Sequence, residues 1–171
     1  MIRSAIVIGG GIAGMASAAV LGRMGASVTV LEQAPMLGEV GAGLQVSPNG
    51  LCVLRALGLE PELINRGALR ANAVSLRDYR RSGEVARLDL QLLAPDQAYY
   101  FLHRADLLDA LKGAAKRASA DIRLHQSVIE VRKGDIPEVV LANGDVLRAE
   151  LIVGADGVHS VARSSLNPKA S

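Results

Sequence analysis

The chain has 171 residues, half of them hydrophobic and 21% charged, which is enough for one domain with a packed core and too apolar for global disorder. A net charge of +2, 2% aromatic residues and no tryptophan offer little to a nucleic-acid backbone or its bases, so no nucleic-acid partner is expected. Cys52 is the only cysteine, and His103, His125 and His159 are scattered at spacings that suggest no metal site, so neither a disulfide framework nor a metal is expected.

In chain order, the apolar run Ser4–Gly9 predicts a strand, Ile12–Met24 a helix and Val28–Glu32 a second strand. Pro35–Ser47 (PMLGEVGAGLQVS) is expected to be a glycine-rich loop. Pro48–Leu57 then forms a helix with Ser47 as its cap, and a short helix near Pro61–Arg66 ends at Gly67. Cys52 falls in that first helix (LCVLRAL), where a buried, inert thiol is expected. Ala73–Tyr79 and Val85–Leu90 alternate around Arg81-Ser82-Gly83 and predict a β-hairpin, with Arg77, Arg80 and Arg81 on its polar face and turn. Leu92–Gln97 is read as a loop and Ala98–Leu102 as a strand.

Ala105–Ala118 reads as a helix with Leu107, Leu108 and Leu111 on one face and its basic residues toward the C-terminal end. Short strands follow at Ile122–His125, Val128–Arg132, Glu138–Leu141 and Val146–Arg148, with the turn Asn143-Gly144-Asp145 between the last two. Leu151–Gly154 reads as a buried parallel strand, and a helix begins near Ser160. The architecture expected is α/β, a doubly wound sheet interrupted by β-hairpins.

Within that frame, the strand into Gly9-x-Gly11-x-x-Gly14, followed by a helix, a second strand and Glu32, is a physical device for holding a dinucleotide. Gly9 permits a tight turn, Gly11 lets a pyrophosphate approach the backbone at the helix N-terminus, and Gly14 lets helix and strand lie close. Gly14, Ala18 and Gly22 recur every four residues as a stripe of small residues toward neighbouring elements. Glu32 lies at roughly the ~20-residue offset of the acid that accepts ribose hydroxyls, and its charge disfavours a 2′-phosphate. FAD and NAD both remain open on these grounds. Arg3 and the uncharged stretch 4–22 with Ala16-Ser17-Ala18-Ala19 imitate a secretory leader. The glycine spacing and the strand after it argue instead for a folded element, so a soluble cytoplasmic protein without a membrane partner is expected.

Three further segments carry polar chemistry. In EVGAGLQVSPNG, Gly41 and Gly43 bracket Ala42, which lets the backbone pass close to a flat group or simply makes a flexible loop. Arg104 in His103-Arg104-Ala105-Asp106 sits at a helix start, where the dipole disfavours a cation, so either Asp106 or a cofactor phosphate is its partner. In Gly154-Ala155-Asp156-Gly157-Val158-His159-Ser160, Asp156 stands at the carboxyl edge of a strand, as a ligand-binding group, as a helix cap, or as both.

Together, Gly9–Gly14 with Glu32, GEVGAGLQVSPNG, HRADLLDAL and LIVGADGVHSVAR resemble the FAD-dependent aromatic hydroxylases, the single-component flavoprotein monooxygenases, with the salicylate and 3-hydroxybenzoate hydroxylases nearest. The resemblance covers the whole chain and implies a Rossmann-like FAD-binding domain over residues 1–171, in which 72–102 is a β-rich insertion that begins the substrate domain. It implies that Gly9, Gly11 and Gly14 face the FAD pyrophosphate, with Ile12 and Ala13 beside them, and that Glu32 serves the adenosine ribose, with Gln33 among the cofactor-binding residues. It places Ala42 and Gly43 near the flavin, Arg104 on the cofactor, Val128 at the adenine, and Asp156 with Gly157 at a segment serving FAD and NAD(P)H. The chemistry implied is hydride transfer from NAD(P)H to flavin, then hydroxylation of a small aromatic acid or phenol with O2.

Relatives continue past the equivalent of Ser171 through most of a substrate-binding sheet and a second flavin motif. The chain is therefore expected to be an N-terminal portion, inactive alone and open to self-association through uncovered apolar surface. Any residue acting as a base toward a phenol is expected to lie past the equivalent of Ser171. An NAD-dependent dehydrogenase domain and a non-catalytic nucleotide-binding module are the alternatives.

Overall fold

The computed structural model describes residues 2–38, 42–94 and 96–167. The N-terminal part runs β1 (Ser4–Ile8), α1 (Ile12–Arg23) and β2 (Ser27–Leu31). Next come β3 (Gly43–Val46), α2 (Pro48–Ala56), α3 (Glu60–Asn65) and the two-residue β4 (Leu69–Arg70). The hairpin strands β5 (Ala73–Arg77) and β6 (Glu84–Asp89) are followed by β7 (Tyr100–His103) and α4 (Arg104–Arg117). The last stretch holds β8 (Asp121–Arg123), β9 (Val128–Arg132), β10 (Glu138–Leu141), β11 (Val146–Arg148), β12 (Leu151–Gly154) and α5 (Val161–Leu166).

The chain divides into two compact units, residues 1–39 with 108–171, and residues 40–107; α4 opens in the second and belongs to the first for the rest of its length. The first unit is built on a parallel sheet in the order β12-β1-β2-β8. Val7, Val28 and Val30 are buried in it, and Met15, Ala18 and Ala19 of α1 are completely covered. Each fully buried Val or Met side chain contributes roughly 1.5–3 kcal/mol. The small-residue stripe of α1 does what the sequence implies. A Cβ on Gly14 would overlap the Gly9 carbonyl, and one on Gly22 would overlap Ala118.

An antiparallel sheet, β11-β10-β9, completes this unit. Val131, Val139 and Leu141 join Ile6, Ile8, Leu31, Ala149 and Ala162 in one core cluster. The β10–β11 turn is the Asn-Gly turn expected: Gly144 has φ +92°, and the Asn143 side-chain oxygen accepts from the Asp145 amide at 3.0 Å. At the other end, Arg3 reaches Glu150 through its backbone amide (2.9 Å) and its Nε (2.8 Å), which ties the start of β1 to the residue before β12. Those two bonds, the backbone one first, hold the Glu150 carboxyl below its ordinary range.

The second unit carries an antiparallel sheet, β3-β7-β4, and the β5–β6 hairpin. Several expectations change here. Gly43–Val46, read as loop, is a strand, because it pairs residue by residue with Tyr100–His103. Leu69–Arg70 also pairs with β7, an element the sequence did not announce. The strand expected at Ala98–Leu102 begins at Tyr100, and α4 begins at Arg104. Pro48 opens α2 as expected, but Ser47 does not cap it: its hydroxyl is paired with the Asn49 side chain. Cys52 is exposed, not buried, since α2 buries Leu51 and Leu54 and turns position 52 away from them.

Among the described residues no helix is long and apolar enough to cross a membrane, and no group of His, Cys, Asp or Glu side chains could hold a metal ion.

Candidate functional site

The carboxyl ends of β1, β2 and β12 meet at one edge of the parallel sheet, because β1 pairs with β2 on one side and with β12 on the other. Ligands of open α/β sheets bind at such an edge. The chain leaves β1 through Gly9, whose φ is +102° and whose added Cβ would overlap the Ala155 carbonyl. That φ favours glycine, and the contact lets the segment after β12 lie against the turn. The Ala155 amide donates to the Ile8 carbonyl at 2.8 Å, and the Gly9 amide donates to the Leu31 carbonyl at 2.8 Å. The turn is thus pinned to both neighbouring strands.

Gly11 is different in kind. It is the N-cap of α1, with φ −75° and no side-chain cap, and a Cβ added to it would meet nothing within 4 Å. Space is left above the loop at the position where the fingerprint places a pyrophosphate. The first turn of α1 carries no acidic side chain. Its Ile12, Ala13 and Gly14 amides have no acceptor within the helix by geometry, and they present the positive end of the dipole. These residues fit a dinucleotide phosphate group.

Glu32 follows β2 directly. Its Oε2 accepts from the Gly10 amide at 2.6 Å and its Oε1 from the Ala34 amide at 2.8 Å. Gly10 lies outside the Gly-x-Gly-x-x-Gly spacing and the sequence reading passed over it. It is nevertheless enclosed, because a Cβ there would strike Leu37 and crowd Glu32. The signal was present as three consecutive glycines, of which the motif explains only two. Gln33 follows Glu32 in the loop, and the Gln126 amide donates to the Glu32 carbonyl at 2.8 Å, two residues before Val128 opens β9. The half-buried Val128 packs on the core cluster.

Asp156 caps α5: its Oδ1 accepts from the Ser160 hydroxyl at 2.6 Å and its Oδ2 from the Ala162 amide at 3.1 Å. Ser160 in turn accepts from the Arg163 amide at 2.9 Å, and Arg163 returns a bond to the Val158 carbonyl at 2.6 Å. Gly157, at φ +75°, makes the turn between them. The capping reading of this segment therefore holds in full.

In the second unit, two segments that look independent in sequence are neighbours. The Arg104 amide donates to the Ala42 carbonyl at 3.0 Å, and Gly43 pairs with His103. The Arg104 Nε is enclosed by protein. Asp106 lies 3.9 Å from Arg66. Gly41, the other glycine of that loop, lies outside the described residues.

Comparison with known proteins identifies the family. The family model described as FAD binding domain matches residues 3–170. The chain is 37% identical over 163 residues to a 3-amino-4-hydroxybenzoate 2-monooxygenase of Streptomyces cremeus, covering 94% of this chain and 41% of that protein. It is 32% identical over 167 residues to a 3-hydroxybenzoate 6-hydroxylase of Klebsiella oxytoca, covering 95% and 42%. Among solved structures, the tetrameric form of 2-methyl-3-hydroxypyridine-5-carboxylic acid oxygenase superposes with a TM-score of 0.84 at 30% identity, over 97% of this chain and 42% of that one. The chain spans about two fifths of the length of the curated relatives it matches. With the fingerprint, the parallel sheet and a match over nearly all its residues, the chain belongs to the FAD binding domain family.

Proposed function

We propose that this chain supplies the FAD-binding part of an NAD(P)H-dependent flavoprotein monooxygenase that hydroxylates a small aromatic acid or phenol. The observation that carries the reading is the open, glycine-built N-terminus of α1 beside Glu32, in a chain similar over almost its whole length to enzymes named as aromatic-acid monooxygenases. Gly9, Gly11, Ile12, Ala13 and Gly14 take the pyrophosphate, Glu32 and Gln33 the adenosine ribose, and Val128 the adenine. By the family resemblance Ala42, Gly43 and Arg104 also serve the cofactor, as do Asp156 and Gly157. The chemistry FAD supplies when bound is acceptance of a hydride from NAD(P)H and activation of O2. The aromatic substrate, the NAD(P)H partner, self-association and a cytoplasmic setting without nucleic-acid or membrane partners belong to the same proposal.

The test is to load the chain, and separately the product of the complete reading frame it comes from, with FAD. NADH and NADPH oxidation is then followed with and without 3-hydroxybenzoate or salicylate, with chromatography for a hydroxylated product. The expected result is flavin retained by both and product made only by the complete protein. Preferential binding of NAD over FAD, with O2-independent turnover of a hydroxy substrate, would establish the dehydrogenase reading instead.

A further inference from the structure

The acid at the end of β2 is assigned to the ribose by the fingerprint, yet in this structure it already has work to do on the protein itself. Glu32 gathers two backbone amides, one from Gly10 inside the glycine loop (2.6 Å) and one from Ala34 beyond β2 (2.8 Å). A carboxylate offers about four acceptor sites, so two amides leave two sites for a ligand's hydroxyls. Charge-assisted bonds of this kind are the stronger ones. The loop needs such an anchor, because Gly9, Gly10 and Gly11 are consecutive and glycine retains the most conformational freedom when unfolded or loose.

We propose that Glu32 is a positioning residue for the glycine loop: by holding the Gly10 amide it fixes the turn between β1 and α1 before any nucleotide arrives. Part of the affinity it supplies is then preorganisation and is independent of the ribose. This rests on the reading that a dinucleotide sits on this loop. Glu32→Gln tests it, since a carboxamide has a single acceptor oxygen and turns donors toward the other amide. Removing the negative charge would by itself tighten binding of an anionic pyrophosphate, so a loss of affinity has the opposite sign to the simple electrostatic effect.

The probes are FAD and an FAD analogue whose adenosine ribose is 2′,3′-dideoxy, titrated into the native chain and into E32Q. The positioning claim predicts that E32Q weakens the dideoxy analogue about tenfold even though no ribose hydroxyl is there to lose. An analogue that binds E32Q as tightly as the native chain would overturn it. The second measurement is amide hydrogen exchange without ligand. Gly10 and Ala34 are expected to be protected in the native chain and to exchange faster in E32Q, while Val7 and Val30 in the strands stay protected. A Gly10 amide that exchanges freely in the native, ligand-free chain also overturns the claim. That experiment needs no nucleotide, so it decides the positioning claim separately from whether FAD binds.

Discussion

Gly14 sits beneath the Gly9 carbonyl oxygen, so close that a Cβ on Gly14 would overlap it. Helix propensity alone favours alanine over glycine by about 1 kcal/mol inside a helix. The overlap here is with backbone pinned by β1 and β2, which cannot rotate aside, and overpacking of that kind costs about 1–3 kcal/mol or more. Gly14→Ala is therefore expected to lower stability despite its better propensity. Chemical denaturation of native and variant chains checks it, and a stabilised G14A would show that α1 can shift away from β1.

Asp156 holds the start of α5 through Ser160 and Ala162. Asp156→Ala removes the acceptor for both bonds, and loss of a cap of this kind costs about 0.5–2 kcal/mol. The expected outcome is a lower melting temperature with faster amide exchange confined to residues 160–166. A variant with unchanged stability would mean that Ser160 caps the helix alone.

In the second unit, Glu60 accepts from Arg55 at 2.5 and 2.8 Å and from the Tyr100 hydroxyl at 3.3 Å. The Arg55 hydrogen bonds hold its carboxyl below the ordinary 4.5, while burial pushes the Tyr100 hydroxyl up. A depressed acid stabilises the fold above its unfolded value, and that contribution is lost as pH falls below 4.5 and through the folded value. Thermal melts between neutral pH and pH 3 are expected to show that loss in the native chain and a shallower one in Glu60→Gln. Identical profiles would remove the pair from the stability of this unit.

What the sequence made legible is local. The strand, turn and helix from Ser4 to Arg23 and the Asn143-Gly144 turn announce themselves in consecutive residues, because glycine, apolar runs and turn chemistry act at short range. Gly43–Val46 was misread because four residues ending a glycine-rich loop become a strand only by pairing with Tyr100–His103, and nothing local records that partner. The approach of Ala42 to Arg104 was hidden for the same reason. Asp156 was legible as a cap because donor and acceptor lie within six residues of each other.

Cys52 shows the opposite failure, in which the information was present. Leu51 and Leu54 define the buried stripe of α2, and position 52 falls outside it. An aromatic disulfide reagent is accordingly expected to label Cys52 fully in the folded chain, at a rate close to that in denaturant. Protection until unfolding would place the thiol in the core after all.

Gly11 separates fold from binding, since its N-cap backbone has negative φ and a Cβ there meets only open space. The most direct test of the account is calorimetric titration of FAD into the native chain and into Gly11→Ala, with the melting temperature of each followed in parallel. The account predicts that FAD binds the native chain and raises its melting temperature. G11A should melt within a few degrees of the native chain yet lose FAD affinity by tenfold or more, on the order of 1.4 kcal/mol, because the methyl group occupies the pyrophosphate's place. Equal FAD affinity in the two chains, or no binding by the native chain, would contradict it.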